Sequence, residues 1–218
     1  MEINLRDAGK RFNKEWIFKG LDFRFESGKS YAVIGNNGSG KSTLLQCIAG
    51  ATNLSQGKCV WEGSHFSEET NTGEHIYRHF SIAAPYLDVI EEMTALEFLR
   101  FHHSFKPLIK GISHLELLRE VELESATNKQ IRHYSSGMKQ RIKLAMAIFS
   151  DTPVLLLDEP CANFDQAGFE LYQRLIARYT RDRLTIVCSN DPAEYAFFST
   201  QSIDIRTYKP TGYKKASL

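Results

Sequence analysis

The sequence predicts an α/β fold built on a parallel sheet, and three observations carry that expectation. Short apolar strands alternate with helical segments at both ends of the chain. A helix-rich stretch near 94–150 interrupts the alternation, and a glycine-rich loop lies between a strand and a helix. The chain has 218 residues, 27 Lys+Arg against 26 Asp+Glu, and 42% hydrophobic content, enough for one large or two small domains with a real core. A net charge of +1 argues against nucleic-acid binding, which calls for a basic surplus. No apolar run approaches the roughly 18–20 residues that cross a bilayer. Met1-Glu2-Ile3-Asn4 reads as no secretion signal. Cys47, Cys59, Cys161 and Cys188 form no CxxC pair, so we expect a reduced intracellular chain without a zinc site or disulfide framework.

The elements follow in order. Leu21–Phe25 alternates apolar and polar residues, the period of a strand with one wet face. Ser30–Ile34 reads as a buried strand, and Lys41–Ala49 as a helix closed by Gly50. Lys58–Trp61 and Phe80–Ala83 are short strands around an acidic loop, residues 62–78. Thr94…Glu97 and Ser113…Glu116 have capping-box spacing, which places helices at about 95–103 and 114–121. Ser136–Phe149 is a further helix, followed by a strand at Val154–Leu157 and a helix from Gln166 to Tyr179. The apolar stripe Phe169, Tyr172, Leu175, Ile176 and Tyr179 marks that helix's core face. A strand at Leu184–Cys188, a short helix near 193–198 and a last strand at Ile203–Ile205 complete the expected layout.

Charge is uneven along it. Residues 60–99 hold eight acids and one base, Arg78, whereas residues 100–150 hold nine bases and four acids. Two solvated faces of opposite sign explain this, and so does a docking surface for a partner. Four bases and no acid follow Ile205, as a frayed end allows.

Gly35-Asn36-Asn37-Gly38-Ser39-Gly40-Lys41-Ser42 fits G-x-x-x-x-G-K-[ST] between a buried strand and a helix. Such a loop turns its backbone N–H groups toward phosphate, and the helix N-terminus adds partial positive charge. Lys41 would reach the β- and γ-phosphates, and Ser42 would ligate Mg²⁺. Thr43 follows at the same helix end. Val154–Leu157 runs into Asp158 and Glu159, and ligands of open parallel sheets bind beyond the carboxyl ends of the strands. Asp158 therefore suits Mg²⁺ binding through water. Glu159 suits general-base activation of a water attacking the γ-phosphate, the alternative being plain solvation of the strand end.

Tyr134-Ser135-Ser136-Gly137-Met138-Lys139-Gln140-Arg141 places hydroxyls and a glycine at a helix N-terminus, which is a good N-cap or an anion site. Coming after the phosphate loop and 23 residues before Asp158, it resembles the signature motif of ATP-binding-cassette (ABC) ATPases. Glu159-Pro160-Cys161-Ala162-Asn163-Phe164-Asp165 is similar to that family's stretch from catalytic glutamate to D-loop, and Phe12 lies where the family places an adenine-stacking aromatic. The resemblance runs from about Ile3 to Ile205. It implies an ABC ATPase fold: a P-loop NTPase core, a small antiparallel β subdomain and an inserted helical subdomain, forming one nucleotide-binding domain over 1–218. It further implies ATP and Mg²⁺ as cofactors and head-to-tail pairing, with ATP held between one phosphate loop and the partner's Ser135, Ser136 and Gly137.

The chain departs from the pattern at two switch positions. No glutamine occurs between Gln56 and Gln130, so the family's Q-loop glutamine, expected near Pro85 or Tyr86, is absent. No histidine follows His133, and Asn190 stands where the switch histidine belongs. An amide donates a hydrogen bond to a γ-phosphate oxygen but carries no positive charge. Asp88 or Glu91 is a substitute for the missing glutamine in binding Mg²⁺ or water. The resemblance thus implies the ATPase subunit of an ABC transporter, at the inner face of the cell membrane. It implies a separate integral-membrane permease and a homodimeric or heterodimeric ATPase pair. The wording of the signature is most similar to export-type subunits. The alternatives are a soluble ABC ATPase of the assembly or repair type and a weakly hydrolysing regulatory module.

Overall fold

The computed structural model describes residues 1–64, 66 and 73–210. Glu68, Glu69 and the Glu74 side chain of the acidic loop lie outside the described residues, as do Lys214 and Lys215 of the basic tail.

Two sheets form. Strands β1 (Glu2–Phe12), β2 (Glu15–Glu26) and β4 (Gln56–Glu62) make an antiparallel sheet in the order β2-β1-β4. Strands β3 (Ser30–Ile34), β5 (Phe80–Ala83), β6 (Val154–Asp158), β7 (Leu184–Ser189) and β8 (Gln201–Asp204) make a second sheet, ordered β5-β6-β7-β3-β8, in which every pairing is parallel. The helices are α1 (Lys41–Ile48), α2 (Gly73–Ile76), α3 (Ala95–Phe105), α4 (His114–Glu120), α5 (Ser136–Ile148) and α6 (Gln166–Tyr179). Among the described residues, no helix is long and apolar enough to cross a membrane.

Successive side chains of a strand point to opposite faces, and every residue of β6 and β7 is buried. Leu155, Leu157 and Val187 join a core shared with α3–α6, while Val154, Leu156, Leu184 and Ile186 join another, shared with α1 and the antiparallel sheet. Both faces of the central strands are therefore covered. Their carboxyl ends are the place left for a ligand. Helices α3 and α4 start as their sequences dictate: Thr94 and Ser113 accept from the N–H groups of Glu97 and Glu116, whose carboxylates reach back to complete each capping box. The insertion is tied to the sheet by Lys106, 4% exposed, whose ammonium donates to the carbonyls of Tyr77 and Phe80 and lies 3.7 Å from the Tyr77 ring centroid. On the neighbouring edge Arg183 donates to Ser81 Oγ and Thr152 Oγ1, both at 2.7 Å, joining the starts of β5, β6 and β7.

Three expectations about elements need correction. Strand β1 and the first part of β2 escape the periodicity, because their register shifts three times between Leu5 and Arg11 and Asp7 is left-handed at φ 47°. Each shift breaks the alternation that betrays a strand. In place of a helix near 193–198 there is one 3-10 turn, Pro192–Glu194, started by the Asp191 side chain accepting from the Ala193 N–H. The last strand ends earlier than expected, at Asp204, whose carboxylate accepts from the Arg206 N–H and turns the chain through Ile205–Tyr208. As the edge strand, β8 exposes Gln201 and Ser202, which hid its start from an apolar count.

Histidines cluster inside the helical insertion. His102 Nε2 lies 3.0 Å from Ser150 Oγ, and His103 Nδ1 lies 3.1 Å from His114 Nε2. Burial pushes His102 down to about 4, and burial with its histidine neighbours pushes His103 down to about 3. The unfolded chain takes up these protons from about pH 6.5 downward, whereas the fold resists them until about pH 4 to 3. Their contribution is thus fully present above about pH 6.5 and is lost as pH falls through that window. In thermal melts of the parent and a His103→Phe variant, the drop in midpoint from about pH 7.5 to about pH 5 is expected to be smaller in the variant. Equal drops would refute the assignment.

Candidate nucleotide-binding and hydrolysis site

The glycine-rich loop leaves β3 at Gly35 and delivers the chain into α1 at Lys41. Gly40 stands at the N-cap of α1 with φ 108°, where a Cβ would sit 2.4 Å from Ile17 Cγ2. Only glycine brings the loop that close to β2 in that backbone conformation. Gly38 also has positive φ, 73°, but a Cβ there meets nothing within 4 Å. The Lys41 ammonium is 4% exposed and donates to the carbonyls of Gly35 at 2.9 Å and Asn36 at 3.2 Å, so the lysine folds back beneath its own loop. The Ser39 N–H donates to the Asn36 carbonyl at 3.0 Å, closing the turn. A cavity of about 360 Å³ is lined by Asn37, Gly38, Gly40, Lys41, Ser42 and Thr43, with Ile17 on one side and Glu159 on the other.

Both carboxylates arrive from the end of β6, two places from β3 in the sheet. Asp158 ends β6 at 1% exposure, and neither of its oxygens has a hydrogen-bond partner. Burial pushes its carboxyl above the usual range and the Glu159 charge adds to this, while the Ser42 hydroxyl and Lys41 favour the charged form. A buried carboxylate with both oxygens orphaned, beside a serine hydroxyl and a lysine, suits a hydrated divalent cation. Glu159 has φ 44°, left-handed for a residue with a side chain. Its N–H donates to the Cys188 carbonyl at 2.9 Å, and its carboxylate stands 4.0 Å from the Lys41 ammonium. Asn190 follows β7 and is exposed at the same end of the sheet.

Ser135, Ser136 and Gly137 open α5, and Ser135 caps it by accepting from the Met138 N–H at 3.2 Å. They line a separate cavity of about 430 Å³ with Arg141, Asn163 and Asp165. The linings of the two cavities share no residue. The chain therefore presents its phosphate loop and its α5 serines to different spaces.

Three expected residues do not line the phosphate-loop cavity. Phe12 is 49% exposed at the end of β1, its ring 4.8 Å from the Lys10 ammonium, and it does not line the cavity. Asp88 and Glu91 line another groove with Glu92, Lys139 and Lys143, and Glu91 is paired with Lys139. Neither takes the place of the missing glutamine at the cavity: Glu91 is paired with Lys139 of α5, and Lys143 of the same helix donates to the Pro85 carbonyl at 3.0 Å. Tyr86, half-exposed at the place of the missing glutamine, also stands near Asp158, and desolvation with that neighbouring charge pushes its hydroxyl up to about 12. The resemblance pointed to this position only as the place of an absent glutamine.

A parallel sheet with a phosphate loop between β3 and α1, and an acid ending the strand two places away, defines a P-loop nucleotide-binding protein. The family model for ABC transporters matches residues 18–162, and the chain belongs to that family. As a member it is an ATP-binding ATPase subunit. It is 26% identical over 193 residues to the lantibiotic transport ATP-binding protein SrtF of Streptococcus pyogenes, covering 86% of this chain and 79% of that protein. It is 30% identical over 193 residues to the sulfate/thiosulfate import ATP-binding protein CysA of Pseudomonas putida, covering 84% of this chain and 56% of that one. The fold is similar to the dimeric structure of MJ0796, a bacterial ABC transporter cassette, with TM-score 0.77, 22% identity and coverage of 94% and 95% of the two chains.

The clash at Gly40 yields a test. Gly40→Ala is expected to weaken binding of a fluorescent ATP analogue at least tenfold, whereas Gly38→Ala, which strains φ alone, costs about 1 kcal/mol of stability and little more. Adding Ile17→Ala to Gly40→Ala removes the obstructing methyl and is expected to restore part of the affinity. Equal binding by the two single variants would contradict the close approach.

Proposed function

We propose that this chain is one nucleotide-binding domain of a two-domain ATPase pair that drives a transporter whose membrane path lies in a separate permease. The observation that carries the reading is the constellation of Lys41, Ser42 and Glu159 around one cavity, with Asp158 buried beside Lys41 and Ser42 and the α5 serines on another cavity. ATP would lie with its phosphates on the N–H groups of Gly38–Thr43 and on the Lys41 ammonium. Ser42 and Asp158 would hold Mg²⁺, which supplies charge neutralisation for the β- and γ-phosphates. Glu159 accepts the proton of the attacking water as the new P–O bond forms and the bond to the β-phosphate oxygen breaks, giving ADP and phosphate. Asn190 donates a neutral hydrogen bond to the γ-phosphate. Phe12 is kept as the adenine contact only if its strand end moves toward the loop on binding.

Since one chain's two anion sites face different cavities, a nucleotide on the phosphate loop completes its contacts with Ser135, Ser136 and Gly137 of a second subunit. ATP then acts as the bond between subunits, and hydrolysis dissolves it. The dimeric form in which MJ0796 was solved supports this arrangement for the fold. The groove of Asp88, Glu91, Glu92, Lys139 and Lys143, between the sheet and the helical insertion, is our proposed seat for a permease segment at the inner membrane face. Relatives named for lantibiotic transport and for sulfate/thiosulfate import support a transport role without choosing a cargo or a direction.

Glu159→Gln keeps the side chain's shape and removes its basicity. Turnover of Mg-ATP is expected to fall by about 10²-fold or more, and size-exclusion chromatography with Mg-ATP is expected to show a persistent dimer. Unchanged turnover would sink the general-base role, and a strictly monomeric variant would sink the sandwich.

A further inference from the structure

The peptide bond just beyond Glu159 is held at both of its polar ends by two different parts of the chain. The Pro160 carbonyl accepts from Gln140 Nε2 at 2.7 Å, and the Cys161 N–H donates to Glu194 Oε1 at 3.1 Å. Gln140 lies on α5, about one turn past Ser136, and is 3% exposed. Glu194 closes the short turn that follows Asn190 and is 7% exposed. The backbone of Glu194 is fixed as well: its N–H donates to the Asp191 carbonyl at 3.1 Å, and its own carbonyl accepts from the Tyr172 hydroxyl of α6 at 2.8 Å.

Burying a carboxylate is costly unless it is paired and fully hydrogen-bonded. Glu194 is neither. Its Oε2 is buried without a hydrogen-bond partner, and no lysine or arginine among the described residues bridges to it. Burial also pushes its carboxyl above the usual carboxylate range, against the nearby Ser189 hydroxyl and the Cys161 N–H, which favour the charged form. An apolar side chain at this position would escape that cost, so the retained acid points to a task for its one bonded oxygen. The task is visible next door. Glu159 is strained at φ 44°, and such a conformation persists only where its surroundings over-determine it. Cys188 fixes the peptide on its amino side, and the Gln140–Glu194 pair fixes the Pro160–Cys161 peptide on its carboxyl side.

We propose that Gln140 and Glu194 form a two-sided clamp on the Pro160–Cys161 peptide that sets the Glu159 carboxylate against the phosphate-loop cavity. The clamp also joins that carboxylate mechanically to α5, which presents Ser135–Gly137, and to the segment carrying Asn190. Both are positioning residues. Neither lines the cavity, so their loss acts on the chemical step and leaves ATP binding in place. The proposal rests on the reading of Glu159 as general base.

Steady-state ATPase assays on the full chain test it, with thermal melts as the folding control. Glu194→Ala and Gln140→Leu are each expected to lower kcat tenfold or more, with KM for Mg-ATP within twofold of the parent. Glu194→Gln keeps an oxygen acceptor for the Cys161 N–H and is expected to retain at least half of the parent kcat. The double variant Gln140→Leu/Glu194→Ala is expected to fall no more than about twofold below the weaker single, because both groups hold one peptide. Parent-like kcat in either single variant, a KM that rises with the loss of kcat, or a Glu194→Gln as impaired as Glu194→Ala overturns the clamp. If Glu194→Ala does not fold, Gln140→Leu and Glu194→Gln decide by the same criteria. Glu159→Gln separates the two readings. If it turns over normally, the general base falls and the clamp with it. If it is inactive while Glu194→Ala and Gln140→Leu are normal, the clamp alone falls.

Discussion

A carboxylate without a partner, sunk to 1% exposure at the end of a central strand, is the constraint around which this chain is built. Desolvating such an ion costs several kcal/mol even after relaxation, and within the chain only the Ser42 hydroxyl and the Lys41 charge favour the ionised Asp158. The burial is a consequence of topology. Strand β6 is flanked by β5 and β7 and covered on both faces, so its last residue emerges inside the sheet's mouth and not on an open surface. The same topology delivers α1 beside it, with Lys41 folded under the loop and held by two carbonyls. Those carbonyl bonds are weaker partners for an ammonium than phosphate oxygens are. Cation and anion are both left under-satisfied side by side at the sheet's mouth, which is what a site prepared for a metal–triphosphate requires.

In the proposed pairing, the α5 serines are the reason one chain does not suffice. Ser135 caps its own helix, so part of its hydrogen-bonding capacity is spent within the chain, and the remaining donors open onto a cavity that excludes the phosphate loop. Helix α5 nevertheless reaches the hydrolysis side from behind, since Gln140 touches the backbone next to Glu159. A displacement of α5 is therefore transmitted through a single peptide bond to the carboxylate, without passing through the nucleotide.

Much of this was legible in the sequence because it rests on local rules. The glycine-rich loop, both capping boxes, the run that becomes β6 and the stripe of α6 each follow from spacing along the chain. What escaped depends on long-range registration. Strand β1 slips register at the bulges around Asp7 and lies hidden among charged residues. Asp88 and Glu91 looked available because they are acids close in sequence to the missing glutamine, yet Lys139 and Lys143, some fifty residues away, pull their segment onto α5. Glu194 carries no motif at all, and Tyr86 marks only where a glutamine is missing. Their roles become visible in three dimensions, where the tyrosine stands near Asp158 and the glutamate accepts from the Cys161 N–H.

The two departures from the family pattern gain meaning from the charges that remain. Asp158 and Glu159 are anions, Lys41 is the cation among them, and Asn190 and Tyr86 bring none where the resemblance expects a histidine and a glutamine. A transition state that spreads charge over the γ-phosphate oxygens is then stabilised here with fewer mobile helpers. Misplacing a catalytic group by about 1 Å costs on the order of 10²-fold, and a site with fewer groups has less to compensate such an error. A chain without switchable side chains near the phosphate must rely more heavily on where Glu159 is held, and the proposed clamp spends the buried Glu194 carboxylate on the Cys161 N–H, two residues beyond it, to hold it.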